Sequence, residues 1–143
     1  MNRLALLLPL ALAACTSGPE PLPPPDAEVR PVVASDRLDG TWTVRAINGQ
    51  EAANTSVTLG GNSLTLRLPC NRASGRFSRN GDKMFVTAPL AVTEMVCLDP
   101  GAAAAEEQML RIVALPMTME LSPPASLRLV NEAGTLDLVR AGS

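Results

Sequence analysis

From Leu38 onward, polar and apolar side chains alternate along the chain with a period of two. In Thr41-Trp42-Thr43-Val44-Arg45-Ala46 the residues Trp42, Val44 and Ala46 share one face. Val57-Thr58-Leu59 and Ser63-Leu64-Thr65-Leu66-Arg67-Leu68 repeat the pattern. So do Met84-Phe85-Val86, Leu127-Arg128-Leu129-Val130 and Leu136-Asp137-Leu138-Val139-Arg140. Turn signals separate these runs: Asn48-Gly49, Gly60-Gly61-Asn62, Asn80-Gly81 and Asn131-Glu132-Ala133-Gly134. Period-two alternation with short connections predicts an antiparallel sheet with one face buried and one wet. Roughly seven or eight short strands predict a small antiparallel barrel or a strongly curled sheet. One stretch departs from the period. Residues 102–115 are rich in helix formers, and Ala105, Met109, Ile112 and Val113 fall at helical spacing before Pro116. The expected fold is therefore mainly β with one helix, which lies on the sheet or plugs its open end. No internal repeat is present.

Upstream of Leu38 the pattern is of another kind. Met1-Asn2-Arg3 opens with a positive charge and is followed by an apolar run from Leu4 to Ala14. As a helix that run rises about 16 Å, against a hydrocarbon core of about 30 Å, so it is too short to span a bilayer. It fits the apolar region of a secretory signal peptide. Leu12-Ala13-Ala14-Cys15 resembles the lipobox of bacterial lipoproteins. That resemblance implies cleavage before Cys15, a diacylglycerol on its sulfur and an acylated new N-terminus. The plainer alternative is an ordinary signal peptide cut after Ala14, with Cys15 a free thiol. More than one acyl chain gives firm membrane anchoring where a single chain does not. Thr16 stands where an aspartate would favour the inner membrane, so the expected location is the cell envelope, facing the periplasm, with the outer membrane favoured. Residues 16–34 contain six prolines, among them Pro23-Pro24-Pro25, and read as an extended spacer. The expected organisation is a signal peptide over 1–14, a lipidated cysteine and proline-rich tether over 15–35, and one folded domain over 36–141.

Composition removes several chemistries. The 143 residues contain no histidine and no tyrosine, and Lys83 is the single lysine. A Ser-His-Asp triad, a histidine base and imidazole metal ligation are excluded outright. The net charge of −2 predicts no basic surface for a phosphate backbone, so no nucleic-acid partner is expected. Only 2% of residues are aromatic, namely Trp42, Phe77 and Phe85, so the core must be aliphatic.

If Cys15 takes lipid, Cys70 and Cys97 remain, and outside the inner membrane a disulfide between them is the default. Closing a loop of about 28 residues is worth roughly 3.6 kcal/mol in the chain-entropy treatment. The competing reading, a redox or nucleophilic pair, lacks a Cys-x-x-Cys spacing and an activating histidine.

The same segments carry a family resemblance. Leu38-Asp39-Gly40-Thr41-Trp42 followed by Ile47-Asn48-Gly49 resembles the opening of the META (HslJ-like) domain family. Cys70-Asn71-Arg72-Ala73-Ser74-Gly75-Arg76-Phe77 resembles its Cys-Asn-x-x-x-Gly-x-Tyr motif, with Phe77 in place of tyrosine. Thr93-Glu94-Met95-Val96-Cys97 resembles its Thr-x-Met-Ala-Cys motif, and residues 127–138 its last hairpin. Pro69 replaces the usual glycine. The resemblance covers roughly residues 38–140. It implies a small barrel-like domain with one helix, a pair of cysteines suited to bridging, and no established reaction. Gly40, Trp42, Asn71, Gly75, Thr93 and Met95 are its motif positions here.

No residue is assigned a catalytic role, and no metal or cofactor is expected. Asn71 is read as bonding turn backbone and Thr93 as pinning a strand end, with ligand contact the sharper alternative for each. Glu106-Glu107 are read as acids favoured by the helix dipole. Asp82-Lys83 are read as solvated, and the sequon Asn54-Thr55-Ser56 as loop chemistry. Met84, Met95, Met109, Met117 and Met119 are read as filling an aromatic-poor core rather than a copper site. The leading functional expectation is a non-catalytic envelope lipoprotein, a stress-related or assembly-related binding module. It would meet the bacterial membrane through lipid on Cys15 and bind an envelope protein. The second is a carrier or pilot-type chaperone for a hydrophobic ligand inside the curled sheet. The third is a small hydrolase inhibitor.

Overall fold

The computed structural model describes residues 35–122 and 125–142. The expected signal peptide, Cys15 and the tether up to residue 34 lie outside the described residues. A short helix α1 (Ser35–Leu38) leads into β1 (Gly40–Ile47), β2 (Gln50–Glu51), β3 (Ser56–Gly60) and β4 (Ser63–Arg67). Then follow β5 (Arg72–Asn80), β6 (Lys83–Val86), β7 (Ala91–Val92) and helix α2 (Pro100–Val113). The chain ends in β8 (Met117–Ser122), β9 (Ser126–Asn131) and β10 (Gly134–Arg140).

Pairing the first long strand with the last closes the sheet. β1 runs antiparallel to β10 from Trp42↔Arg140 to Ile47↔Leu136, and the path β10-β9-β8-β6-β5-β4-β3-β1 completes an eight-stranded antiparallel barrel. β2 extends the edge of β1, and β7 pairs with β5 beyond the end of β6. The seam between β6 and β8 is short, with Lys83↔Thr118 and Met84↔Met117 as its register pairs. Of the two architectures the alternation allowed, the barrel is the one formed. Eight strands leave an interior just wide enough for side chains to fill. Trp42, Val44, Val57, Leu59, Leu64, Leu66, Phe77, Met84, Met117, Leu127, Leu129 and Leu136 are all buried within one cluster there.

Two expectations are corrected. Ala46 was expected on the face of Trp42 and Val44, but the register shifts between Val44 and Ala46. This bulge turns Ala46 away and buries Ile47 instead. Residues 117–122 form β8, where no strand was expected. Met-Thr-Met-Glu does alternate, with Met117 and Met119 buried, but flexible methionine carries little of the β-branched signal that marks a strand.

Helix α2 closes one end of the barrel. It starts earlier than the helix-former stretch suggested, because Pro100 suits the first turn and the Asp99 carboxylate accepts the Ala102 N–H at 2.9 Å. Glu106, Met109, Ile112 and Val113 face inward. Polar bonds fix the helix over the rim. Asn48 Nδ2 donates to Gln108 Oε1 at 3.3 Å, and Asn131 Nδ2 donates to the Ile112 carbonyl at 2.7 Å, supplying a partner at the helix C-terminus. At the opposite end the opening motif acts as a plug. Trp42 Nε1 donates to the Leu38 carbonyl at 2.8 Å, and the Arg140 guanidinium lies 4.4 Å from the ring centroid while donating to the Asp39 and Arg37 carbonyls. Gly40 is required there. Its φ is +127°, and a Cβ would stand 2.8 Å from Arg140 Nη1.

Gly134 makes a sharper test of packing at the helix end. Its φ is +148°, and a Cβ would come within 2.0 Å of Asn48 Oδ1, the atom that accepts the Thr135 N–H. Gly134→Ala is expected to cost about 2–4 kcal/mol in urea denaturation. Gly61→Ala, at φ +57° with nothing within 4 Å, is expected to cost only about 1 kcal/mol.

Candidate functional site

At the helix end, three stretches far apart in sequence meet. Cys70 and Cys97, 27 positions apart in sequence, are bridged, with Cα atoms 5.5 Å apart. The Glu106 carboxylate reaches from α2 under the loop that joins β4 to β5. Its Oε2 accepts the backbone N–H groups of Cys70 and Asn71, each at 3.0 Å, and its Oε1 accepts Asn71 Nδ2 at 2.7 Å. Asn71 then reaches across to the segment after β7. Its Oδ1 accepts the Thr93 hydroxyl at 2.9 Å and the Met95 N–H at 2.7 Å, while its Nδ2 also donates to the Met95 carbonyl at 3.3 Å. Thr93 Oγ1 in turn accepts the Arg72 N–H at 3.0 Å.

Asn71 and Glu106 are each only 8% exposed. The amide of Asn71 has two donors and two acceptor positions, and all four are used within the protein. The arrangement is therefore a polar knot that immobilises the bridged loops against the helix. Asn71 does bond backbone, as its position suggested, but the backbone belongs to the segment after β7, 24 residues away, rather than to its own turn. Thr93 pins a strand end as expected. The helix dipole, which the sequence suggests for Glu106, does not account for its burial and its three bonds to the β4–β5 loop. Helical spacing holds the missed signal, because position 106 lies three and seven residues before the inward-facing Met109 and Val113.

Other motif residues are placed elsewhere. Gly40 and Trp42 belong to the plug at the far end. Gly75 lies in the wall on β5, where a Cβ would sit 2.6 Å from Leu90 Cδ2, so the missing side chain lets Leu90 pack over the strand. Met84, Met109, Met117 and Met119 are buried as expected, but Met95 is 67% exposed. Its backbone N–H and carbonyl are both held by Asn71, and the side chain is left facing solvent. Val96 and Leu98 beside it are 84% and 90% exposed. Lys83 lies on the surface with its Nζ donating to Thr118 Oγ1. Asn54 is an exposed loop residue with φ +54°.

Two surface features flank the exposed segment. An open apolar groove of about 580 Å³ lies between the stretch that leads into it, Val86 to Val92, and α2, with Leu90, Leu110 and Ala114 among its lining residues. On its other side is the outer face of β4 and β5. The net negative charge concealed a basic face here. From Thr55 to Gly81 the chain has four arginines and no carboxylate, and Arg67, Arg72 and Arg76 alternate outward with serines and a threonine. Strand geometry, which places every second residue on one face, produces this segregation from a chain of nearly balanced charge.

A closed antiparallel barrel of eight strands, filled by its own side chains and lidded by one disulfide-tied helix, defines the class of protein. The META domain profile matches residues 35–143, and the chain belongs to that family. The fold is also that of two proteins solved by NMR. One is similar with a TM-score of 0.66 at 19% identity, over 76% of this chain and 96% of its own. The other, from Burkholderia xenovorans, gives a TM-score of 0.62 at 20% identity over 92% of this chain and all of its own. No curated protein matches the chain.

The knot can be tested by an exchange of one atom group. Asn71→Asp replaces the amide NH2 by an oxygen that would face Glu106 Oε1 and the Met95 carbonyl. It is expected to cost about 3 kcal/mol or more in urea denaturation with the disulfide intact, whereas Thr93→Val should cost about 1 kcal/mol.

Proposed function

We propose that the chain is a non-catalytic envelope lipoprotein, exported and acylated at Cys15, whose META domain is a stress-related or assembly-related binding module. The observation that carries this reading is the division of labour at the helix end. Every hydrogen-bonding position of the Asn71 side chain is engaged internally, while the apolar side chains of Met95, Val96 and Leu98 face solvent on a bridged, immobilised segment. Exposed apolar residues grouped on a rigid element are the mark of a contact surface. The knot itself leaves no polar group of Asn71 free for a substrate.

A carrier function for the barrel interior is disfavoured, because the strand side chains that would line such a cavity pack into one buried cluster. A hydrophobic ligand would have to use the open groove beside Leu110 and Ala114 instead.

The reading is tested in cells with Val96→Asp combined with Leu98→Asp. Both positions are almost fully exposed, so the folding free energy should change by no more than about 0.5 kcal/mol. The variant is expected to be made, acylated and folded, yet to fail to restore envelope-stress tolerance to a deletion strain. Full restoration would exclude this surface as the working part. Mass spectrometry of the cellular protein should find acyl groups on Cys15.

A further inference from the structure

We propose that the exposed segment from Val92 to Leu98, together with Arg67, Arg72 and Arg76, is a docking surface for an anionic phospholipid bilayer. In this arrangement Met95, Val96 and Leu98 enter the boundary between headgroups and acyl chains, and the three guanidinium groups meet lipid phosphates. The proposal deepens the lipoprotein reading, and it rests on that reading only for the presence of a bilayer nearby.

The charge pattern is the first argument. Arg67 and Arg72 are direct cross-strand partners on β4 and β5, and Arg76 lies opposite Ser63 on the same face. Like charges directly opposite one another work against strand pairing. Nevertheless Arg67, Arg72 and Arg76 form no ion pair among the described residues, where Arg111 pairs with Glu107 and Arg128 with Asp137. A face with such repulsion and no internal partner is suited to an external polyanion, and an extended anionic surface engages several arginines at once.

Continuity is the second argument. Arg72 lines a shallow groove of about 340 Å³ with Thr65, Ser74, Val92 and Thr93, so the basic face and the apolar segment are parts of one surface. Amphipathic surface contact of this kind combines buried apolar area with electrostatic attraction to anionic lipid. The disulfide and the Asn71 bonds hold the segment in place, so little conformational entropy is lost when it inserts. Glu94 lies within the segment and opposes the attraction. Asp99, at its end, is occupied in capping α2.

Reach is the third. The described chain begins at α1, at the end of the barrel away from the disulfide. Residues 16–34, extended, span roughly 60 Å, whereas the barrel wall along β1 is about 26 Å tall. A chain anchored at Cys15 can therefore bring its far end down onto the same membrane.

The test uses the full lipid-modified chain carrying Val96→Trp, reconstituted with vesicles whose acyl chains are brominated. Trp42 is completely buried in the core and supplies a constant background. Phosphatidylglycerol vesicles are expected to quench and blue-shift the new tryptophan, and pure phosphatidylcholine vesicles to leave it unquenched. Quenching should be lost on adding Arg67→Gln with Arg72→Gln, or in high salt, and should strengthen with Glu94→Gln. No quenching in anionic vesicles, as expected if the segment serves only a protein partner, would overturn the proposal. Equal quenching in neutral vesicles would overturn it too. Flotation reports the anchor separately. A chain that fails to float with neutral vesicles lacks the anchor, and quenching in anionic vesicles still decides the docking.

Discussion

One buried carboxylate holds the helix end together. Glu106 is the point at which helix α2, the loop between β4 and β5 and, through Asn71, the segment after β7 are joined by direct hydrogen bonds. A carboxyl group in such a place is tolerated because three N–H groups point at it. Those N–H groups would otherwise be left without partners in a loop that does not belong to the barrel ladder. The disulfide adds covalent closure to the same place, tying the β4–β5 loop to the segment that leads into α2. Glu106 joins that loop to the body of the helix. Without it, the lid would rest on the bridge at its N-terminal end, on apolar contacts and on the bonds made by Asn48 and Asn131.

The closed barrel then determines where function can lie. In an eight-stranded barrel the strand side chains meet in the middle. This chain has few aromatic rings to fill that space, and it uses leucines and methionines gathered around Trp42 and Phe77. Both ends are stopped, one by α2 and the other by the plug of Leu38, Trp42 and Arg140. With the inside taken, only the outer surface is left to meet another molecule. There the barrel arranges unlike materials side by side: an acid-poor, arginine-bearing wall on β4 and β5, and an apolar segment that the polar knot turns outward. Met95 belongs to that segment: its backbone is bound on both sides by Asn71, and its side chain faces solvent.

Family membership and this geometry explain one another. The motif positions Cys70, Asn71, Thr93, Met95 and Cys97 gather at the helix end, and Gly40 and Trp42 gather at the plug. Each set closes one mouth of the barrel. Gly75 lies between them, where it lets Leu90 lie against the wall. Most of these motif residues shut the barrel, which is why the motifs announce a fold more clearly than an activity.

Local physics made much of this legible from the chain alone. Alternation identified most of the long strands, turn dipeptides located the hairpins, and a run of helix formers located α2, because each of these depends on neighbours within a few residues. The bridged pair was legible on other grounds, from the cysteine count and the oxidising compartment that the N-terminal segment leads one to expect. What tertiary structure decided was everything that depends on partners distant in sequence. Closure required β1 to find β10, and a bulge moved Ala46 out of the core and Ile47 into it. Glu106 became a buried acceptor only when Cys70 and Asn71 arrived from 35 or 36 residues away, and Met95 faces outward from a segment whose backbone Asn71, 24 residues away, holds in place. The near-neutral composition, likewise, could not disclose a basic face, since net charge is a sum over residues and a surface is their arrangement in space.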